Sequence, residues 1–335
     1  MKALVLESID KSKSLQEMLV YKDVDTPQPK ENEVLINLKY ASLNHRDLFI
    51  TKGLYANIKT PVILGSDGAG VIEDANGSEF NANDDVIINP TIDWGNNENF
   101  QNKNFRILGM PDNGTLAEYI CIDKKYVHKK PEHLDLKEAA ALPLAGLTAY
   151  RACIVKANIQ PEENVLITGI GGGVSTFAFL YATALGANVY ITSGSGDKIN
   201  FALSRGAKCG INYREDDWEK KIKKHSEGID VVIDSAGGET FSKCLDLCNE
   251  GARLVSYGAT FGAVEKFEMR KVFWKQLNIM GTTMGSYKDF ENMVKFISEN
   301  EITPFIDKEY DLENGADAFE RMESGDQIGK IIVKI

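Results

Sequence analysis

The sequence lacks the features of a membrane protein and of a secreted one. Among its 335 residues, no apolar run approaches the roughly 20 residues that a membrane-spanning helix needs. The first residues, MKALVLESIDKSKS, have neither the apolar core nor the small-residue cleavage site of a signal peptide. Five cysteines, an odd number in a long chain, do not suggest a disulfide framework. We therefore expect a cytoplasmic protein.

Basic residues are fewer than acidic ones. Lys and Arg total 38 against 49 Asp and Glu, which gives a net charge of -11. Acidic charge dispersed along a chain argues against a nucleic-acid partner, although it is compatible with a local basic pocket for a phosphorylated cofactor. The length and the 43% apolar content suit about two globular domains.

The chain changes character near its middle. Residues 1–122 are rich in short β-branched and aliphatic runs that are separated by Pro, Gly, Asn and Asp, which predicts strands and turns. From about residue 135, strand candidates at 165–168, 189–192, 231–234 and 254–257 alternate with helix-length segments, which predicts a parallel sheet. A last helix, Lys288–Glu299, and a last strand, Lys330–Ile335, are also predicted.

A glycine cluster is the most informative stretch. VLITGIGGGVS, residues 165–175, is typical of a buried strand that runs into a tight turn and opens a helix. Glycines there let backbone N–H groups approach a pyrophosphate at the positive end of the helix. The strict G-x-G-x-x-G spacing is not met, since Val174 stands where the third glycine would be and Ser175 takes the last small-residue place. The run of strand, turn, helix and second strand nevertheless predicts a dinucleotide site.

The end of the second strand indicates which dinucleotide is bound. NAD-selective sites place a carboxylate there, about 20 residues after the first glycine, to hold the ribose 2′-OH. VYITSGS, residues 189–195, contains no acid; Ser193 takes that place, Lys198 follows, and Asp197 lies beyond the strand. A hydroxyl and a cation both donate hydrogen bonds to phosphate oxygens. The sequence therefore predicts NADP(H).

Besides the glycine turn, further motifs follow one another along nearly the whole chain: ASLNHRD (41–47), LGSDGAG (64–70), LPLAGLTAY (142–150), GAKCGINYR (206–214), DSAGG (234–238), VSYGA (255–259) and GKIIV (329–333). Their order resembles the medium-chain dehydrogenase/reductases, and in particular their zinc-free, quinone oxidoreductase-like branch. The resemblance implies an α/β fold. A GroES-like, β-rich catalytic domain would comprise residues 1–122 and 284–335, and a Rossmann domain with a doubly wound parallel sheet would comprise residues 123–283.

The sequence differs from the zinc-dependent members of that family at the positions of the metal ligands. Those relatives carry a cysteine where Asn44 stands, a Gly-His-Glu at residues 65–67, and a further ligand near Leu144. Catalytic zinc needs three ligands of the Cys, His or carboxylate type, which Asn, Ser and Leu do not provide. Residues 89–120 also lack the four clustered cysteines of the structural zinc. We therefore expect no metal site.

The resemblance also implies roles for individual residues of the cofactor site. It places four residues along the pyrophosphate, three around the 2′-phosphate, and three beside the nicotinamide and its ribose. They are, in that order, Gly171, Gly172, Gly173 and Val174; Ser193, Lys198 and Tyr213; and Thr148, Gly258 and Ala259.

Two residues of the catalytic half are candidates for the chemistry. Hydride delivery to a quinone or an activated alkene puts negative charge on an oxygen, and without a metal, hydrogen-bond donors must stabilise that charge. The resemblance places the amide of Asn44 near the nicotinamide ring and makes Tyr55 a substrate-facing tyrosine. We therefore expect an NADPH-dependent oxidoreductase that acts on a quinone or an activated carbonyl or alkene.

Other interpretations of the sequence stay open. One is an enoyl-thioester or 2-alkenal reductase, and another is an NADPH-binding redox sensor or structural protein with little turnover. We expect a small-molecule substrate and neither a nucleic-acid nor a membrane partner. The resemblance also implies a homodimer or homotetramer joined at the edge of the Rossmann sheet, with residues 264–269 as a contributor.

Overall fold

The computed structural model describes every residue from Met1 to Ile335, and the chain folds as two units. The first unit consists of Met1–Leu147 together with Gly285–Ile335, and the second consists of Thr148–Met284. The chain therefore builds most of the first unit, passes through the second, and returns to complete the first.

Short strands dominate the part of the first unit that precedes the second. The strands are β1 (Lys2–Leu6), β2 (Leu19–Asp23), β3 (Glu33–Ser42), β4 (Val62–Ile63), β5 (Asp67–Asp74), β6 (Asp85–Ile88), β7 (Thr91–Ile92), β8 (Arg106–Ile107), β9 (Tyr119–Asp123) and β10 (Val127–Lys129). The α-helices are α1 (Leu15–Met18), α2 (His45–Thr51), α3 (Leu136–Ala140) and α4 (Pro143–Tyr150), which continues as a π-helix over Arg151–Lys156.

Strands and helices alternate in the second unit. The strands are β11 (Asn164–Ile167), β12 (Asn188–Ser193), β13 (Cys209–Asn212), β14 (Ile229–Asp234), β15 (Cys248–Ser256) and β16 (Asn278–Gly281). The helices are α5 (Gly173–Ala184), α6 (Gly196–Ser204), α7 (Trp218–His225), α8 (Gly238–Leu247) and α9 (Met269–Trp274). The returning chain adds α10 (Tyr287–Glu299), β17 (Ile306–Asp311), α11 (Gly315–Ser324) and β18 (Lys330–Lys334) to the first unit.

Strand β3 organises the main sheet of the first unit. It pairs with β5 on one side and with β9 and β18 on the other, and alternating apolar residues such as Val34, Ile36 and Leu38 are buried along it. Ser42, at the end of β3, is opposite Asp67 of β5 and Ile332 of β18. The residues that follow β3 therefore lie beside the first residues of both neighbouring strands.

The sheet of the second unit is parallel throughout, with the strand order β13-β12-β11-β14-β15-β16. In order of appearance along the unit this is 3-2-1-4-5-6, the doubly wound order of dinucleotide-binding sheets. The connection reverses direction between β11 and β14, so the loops after these two strands diverge and leave a crevice at their carboxyl ends. The α/β fold class expected from the sequence is confirmed.

The boundary between the two units lies later than the sequence predicts, at residues 147/148 instead of 122/123. Strand β10 pairs with β6, and α3 packs on β3 and β5, where the Ser42 hydroxyl donates to the Ala140 carbonyl at 2.9 Å. Both elements belong to the first unit by these long-range contacts. The sequence shows only a short strand and a short helix there, which look like the start of the alternating pattern.

The longer elements lie close to their predicted positions. Helix α5 begins at the glycine turn, as the sequence predicts, and ends just before Gly186, a residue with φ +78°. A capping box between Ser286 and Asp289 begins α10 one residue before the predicted start. None of the helices combines the length and the apolar composition that crossing a bilayer requires.

Candidate functional site

The glycine turn after β11 has the geometry of a phosphate-binding turn. Gly169 and Gly171 have φ values of +67° and +121°, a backbone region that is strained for any other residue, and Gly172 is the N-cap of α5. The first N–H groups of α5 have no partner within the helix and carry its positive end. The Ser175 hydroxyl, 2% exposed, donates to the carbonyls of Gly169 at 3.0 Å and Gly172 at 2.9 Å, which holds the turn against the helix.

The Lys198 side chain lies over this turn. A Cβ atom added to Gly171 would stand 2.5 Å from Lys198 Cδ and 3.0 Å from its Nζ, so the side chain lies directly on the glycine backbone. Lys198 belongs to the first turn of α6 and is half-buried, which a solvated surface lysine would not be. The ammonium group therefore lies at the glycine turn, where the sequence leads us to expect the pyrophosphate.

The carboxyl end of β12 is lined by donors and holds no carboxylate. Ser193 is 3% exposed and is the last residue of the strand. A Cβ added to Gly194 would lie 2.7 Å from Tyr213 Oη and 2.8 Å from Arg214 Nε, so both side chains cover this glycine. Asp197 is exposed in the first turn of α6. A hydroxyl, a phenol and a guanidinium group thus converge beside the strand end.

Asp234 joins the two strands at the point where the sheet order reverses. Its carboxylate accepts from the Thr168 hydroxyl at 2.7 Å and from the N–H groups of Gly237 at 2.9 Å and Ala236 at 3.2 Å. Burial raises the pKa of this carboxyl, and the three hydrogen bonds oppose that rise. The network ties the end of β14 to the end of β11 and fixes the loop that follows.

The remaining predicted cofactor residues lie in three places: the loops after β14 and β15, the start of α5, and α4. A Cβ on Gly258 would stand 3.1 Å from the Ser235 carbonyl oxygen, and one on Gly237 would stand 3.1 Å from Ala259 Cα. The loops after β14 and β15 are therefore packed against each other at the carboxyl end of the sheet. Val174 is half-buried in the first turn of α5, and Thr148 is buried in α4.

In the first unit, Asn44 is held in a buried polar network. Its Nδ2 donates to Asp67 Oδ2 at 2.9 Å, and its Oδ1 accepts from Lys330 Nζ at 2.7 Å. Lys330 Nζ also donates to Asp67 Oδ2 at 2.9 Å. The Asp67 Oδ1 atom accepts from the backbone N–H of Leu144 at 2.8 Å. All three side chains are at most 6% exposed.

A second buried cation lies beside Tyr55. The guanidinium group of Arg46 donates to Ser66 Oγ at 2.8 Å and to the Leu108 carbonyl at 2.9 Å. The same group lies 5.6 Å from the centre of the Tyr55 ring, within the range of a cation–π contact. The Tyr55 residue is 37% exposed, so Arg46 supports one face of the ring while solvent reaches the other parts of the side chain.

Zinc does not fit the residues at the positions where zinc-dependent relatives carry ligands. Asn44 is bonded to the ammonium group of Lys330, and Ser66 is bonded to the guanidinium group of Arg46. A divalent cation placed among these groups would face the positive charges of Lys330 and Arg46, and the Asp67 carboxylate beside them already accepts from Lys330 and Asn44. No group of three or more His, Cys, Asp and Glu side chains is arranged to hold a metal ion.

Sequence reasoning overlooked three of these residues. Lys330 falls in the matching stretch GKIIV and Arg46 in ASLNHRD, so the motifs were visible but the partners of their charges were not. Arg214 follows Tyr213 directly, and two donors in a row after β13 were a usable signal. What the sequence could not show is that these cations are buried or lie over a glycine.

This fold pairs a β-rich unit with a dinucleotide-binding parallel sheet, and comparisons with known proteins agree with it. Residues 30–132 match the alcohol dehydrogenase GroES-like domain family, and residues 173–299 match the zinc-binding dehydrogenase family. The chain belongs to the medium-chain dehydrogenase/reductase superfamily, whose members bind a nicotinamide cofactor, and it is an oxidoreductase.

Individual relatives carry different activities. The chain is 36% identical to a zinc-type alcohol dehydrogenase-like protein of Leptosphaeria maculans, with 93% of each chain covered. It is 32% identical to the quinone oxidoreductase of Homo sapiens, with 93% of this chain and 92% of that one covered. A crystal structure of an NAD-dependent alcohol dehydrogenase matches with a TM-score of 0.92, 32% identity and complete coverage of both chains.

Proposed function

We propose that this protein is a zinc-independent, NADPH-dependent oxidoreductase that transfers hydride to a quinone or an activated carbonyl or alkene. The observation that carries the proposal is the carboxyl end of β12, where Tyr213 and Arg214 supply donors, Ser193 is a small neutral residue, and no carboxylate is present. These groups complement a 2′-phosphate, whereas a ribose 2′-OH is usually held by an acid.

The donors of the first unit support the proposed substrate class. Bound NADPH supplies a hydride, which together with one proton from solvent converts a quinone to a hydroquinone. The oxygen that gains charge in this reduction needs a donor, and the amide of Asn44 still has one N–H that its contacts with Asp67 and Lys330 leave unused. The 32% identity to a quinone oxidoreductase supports the same class.

Absorbance at 340 nm tests the proposal. Protein treated with EDTA would be mixed with NADPH or NADH and a panel of acceptors that includes 1,4-benzoquinone, a 2-alkenal and a simple alcohol–aldehyde pair. We expect oxidation of NADPH by the quinone that survives chelation and exceeds the rate with NADH. Activity that disappears with EDTA and returns with zinc, or that requires NADH, would overturn the proposal; binding of NADPH with no turnover would favour a sensor.

We also propose that two copies associate through the edge of the parallel sheet. Strand β16 pairs only with β15, so its outer N–H and C=O groups are available to a second strand. The surface beside it exposes Met269, Phe273, Trp274 and Ile279, of which Trp274 is 78% exposed. A second copy related by a two-fold axis would pair the two β16 strands and bury both apolar surfaces.

A further inference from the structure

Three charged or polar side chains from distant parts of the sequence meet at one end of the main sheet in the first unit. Asn44 is the N-cap of α2, Asp67 begins β5 and Lys330 begins β18. Because β5 and β18 lie on opposite sides of β3, the end of β3 brings all three together. Asp67 is 0% exposed and Lys330 is 2% exposed, so water contributes little to their solvation.

The chemistry of the two partners fixes the orientation of the Asn44 amide. An ammonium group only donates and a carboxylate only accepts, so Lys330 must face Oδ1 and Asp67 must face Nδ2. The reversed amide would set N–H against ammonium and C=O against carboxylate. One Nδ2–H therefore points to Asp67, and the direction of the second is determined by the rigid geometry of the amide.

Lys330 also changes the strength of that second donor. A charge-assisted hydrogen bond of 2.7 Å to Oδ1 draws electron density from the amide toward the oxygen, which makes the remaining N–H a better donor. The effect is larger in a buried site because the surroundings screen it poorly. Where zinc-dependent relatives have a metal to supply positive charge, this chain has a side-chain ammonium group hydrogen-bonded to the amide that donates.

We propose that Lys330 is a positioning residue that orients and polarises the Asn44 amide for the substrate oxygen that gains negative charge. This inference rests on the proposed reductase function. A purely structural ion pair would need only to be satisfied, and a neutral pair of similar size would replace it at little cost in stability. The orienting role requires in addition that the charge of Lys330 act through Asn44.

The test compares Lys330→Met, which leaves the Asp67 carboxylate buried without its cation, with the double variant Lys330→Met/Asp67→Asn, which is neutral. In the NADPH-saturated enzyme we expect both to lower kcat for quinone by about tenfold or more, with the roughly 10²–10³ associated with losing a whole oxyanion donor as the upper limit. The KM for NADPH should stay within about twofold, because the residues at the dinucleotide site are unchanged. The double variant should regain thermal stability without regaining kcat.

A double-mutant cycle with Asn44→Ala separates action through the amide from independent action. In the Asn44→Ala background, Lys330→Met should lower kcat by less than about twofold, since the group through which it acts is gone. Lys130→Met is the matched control: Lys130 is a largely covered lysine of the same unit that donates to the Leu134 carbonyl at 2.7 Å. It should leave kcat unchanged.

Two results would overturn the inference: recovery of kcat in the neutral double variant, or an equal loss from Lys330→Met with and without Asn44. A readout independent of turnover distinguishes this failure from failure of the proposed function. The side-chain ¹⁵N–¹H₂ signal of Asn44, assigned by its loss in Asn44→Ala, should shift downfield relative to its position in the neutral double variant. An unshifted signal would contradict the orienting role of Lys330 even if the enzyme is active. A shifted signal without any quinone turnover would support that role and refute the proposed reductase function.

Discussion

One residue at the end of β12 carries the proposed preference for NADPH. Ser193 is buried at the strand end, its hydroxyl accepts from the Ser195 N–H at 3.3 Å, and Tyr213 donates its N–H to the Ser193 carbonyl at 3.1 Å. The strand ends of β12 and β13 are thereby held side by side, with Arg214 over Gly194. A negative charge introduced at residue 193 would lie among the groups that favour a phosphate.

Ser193→Asp should therefore reverse the cofactor preference. We expect the Kd for NADPH to rise by roughly 10- to 100-fold, equivalent to about 1.4–2.8 kcal/mol of binding free energy, through repulsion of the 2′-phosphate. The Kd for NADH should stay the same or fall, since an aspartate can accept from the ribose 2′-OH. Fluorescence titration of both cofactors measures the two values.

Asn200→Asp supplies the control for that change, because it adds the same charge at an exposed position of α6. Its effect on NADPH should be less than about twofold, since solvent and salt screen an exposed charge. Unaltered NADPH binding in Ser193→Asp, with a native melting temperature, would show that the 2′-phosphate lies elsewhere.

At the scale of elements, the glycine turn is coupled to α6 through Lys198. Gly171 adopts φ +121° and leaves no room for a side chain, because the aliphatic part of Lys198 lies where a Cβ would stand. The turn and the first residues of α6 are therefore one structural unit, although α5 and β12 separate them in sequence. A change at Gly171 displaces the lysine as well as the backbone.

Gly171→Ala should cost stability and cofactor affinity together. We expect the free energy of unfolding to fall by about 1–3 kcal/mol, because alanine is strained at this φ. The Kd for NADPH should rise at least about tenfold, since both the N–H groups of the turn and the Lys198 ammonium move. Chemical unfolding and cofactor titration of the same preparation give the two numbers.

Gly196→Ala is the matched substitution at the start of α6. Its φ is not positive and a Cβ there would meet nothing within 4 Å, so it should leave NADPH affinity unchanged. Equal loss of affinity in both variants would mean that the turn does not bind the cofactor. A wild-type Kd in Gly171→Ala would lead to the same conclusion.

At the scale of the whole molecule, the proposed assembly involves the apolar edge of the second unit. Trp274 and Phe273 end α9, and the following strand β16 is the last of its sheet. Exposed aromatic residues beside an unpaired edge strand favour self-association. The sequence placed the contact at residues 264–269, whereas the exposed apolar residues extend from Phe261 to Ile279.

Trp274→Glu should convert the dimer to a monomer. The carboxylate would be buried without a partner in the interface, which costs several kcal/mol of association free energy. A two-fold contact contains two such carboxylates, one from each copy, so the cost is incurred twice. Light scattering coupled to size exclusion should give the mass of two chains for the wild type and of one chain for the variant. Phe100→Glu, at an aromatic residue that is 60% exposed in the first unit, should keep the wild-type mass. A monomeric wild type would refute the assembly.

Local signals were enough to predict the sheet of the second unit and its glycine turn. Apolar runs of strand length, a glycine cluster between two of them and the residue at the end of the second strand are all short-range features. The absence of an acid near Ser193 and the lack of zinc-type ligands at Asn44, Ser66 and Leu144 were likewise visible without a structure. The cytoplasmic location stays a prediction from the same sequence.

The boundary between the units and the positions of the buried charges depend on contacts between residues far apart in the sequence. The boundary at residues 147/148 depends on α3 packing against β3 and β5, which no local pattern encodes. Lys330 is separated from Asn44 by 286 residues, and a lysine in isolation is most often a solvated one. Only the pairing of β18 beside β3 takes its ammonium out of water and sets it against an amide and a carboxylate. Short-range patterns in the chain therefore specified the cofactor-binding scaffold, whereas the positions of the buried charges in the first unit depended on strands that meet only after folding.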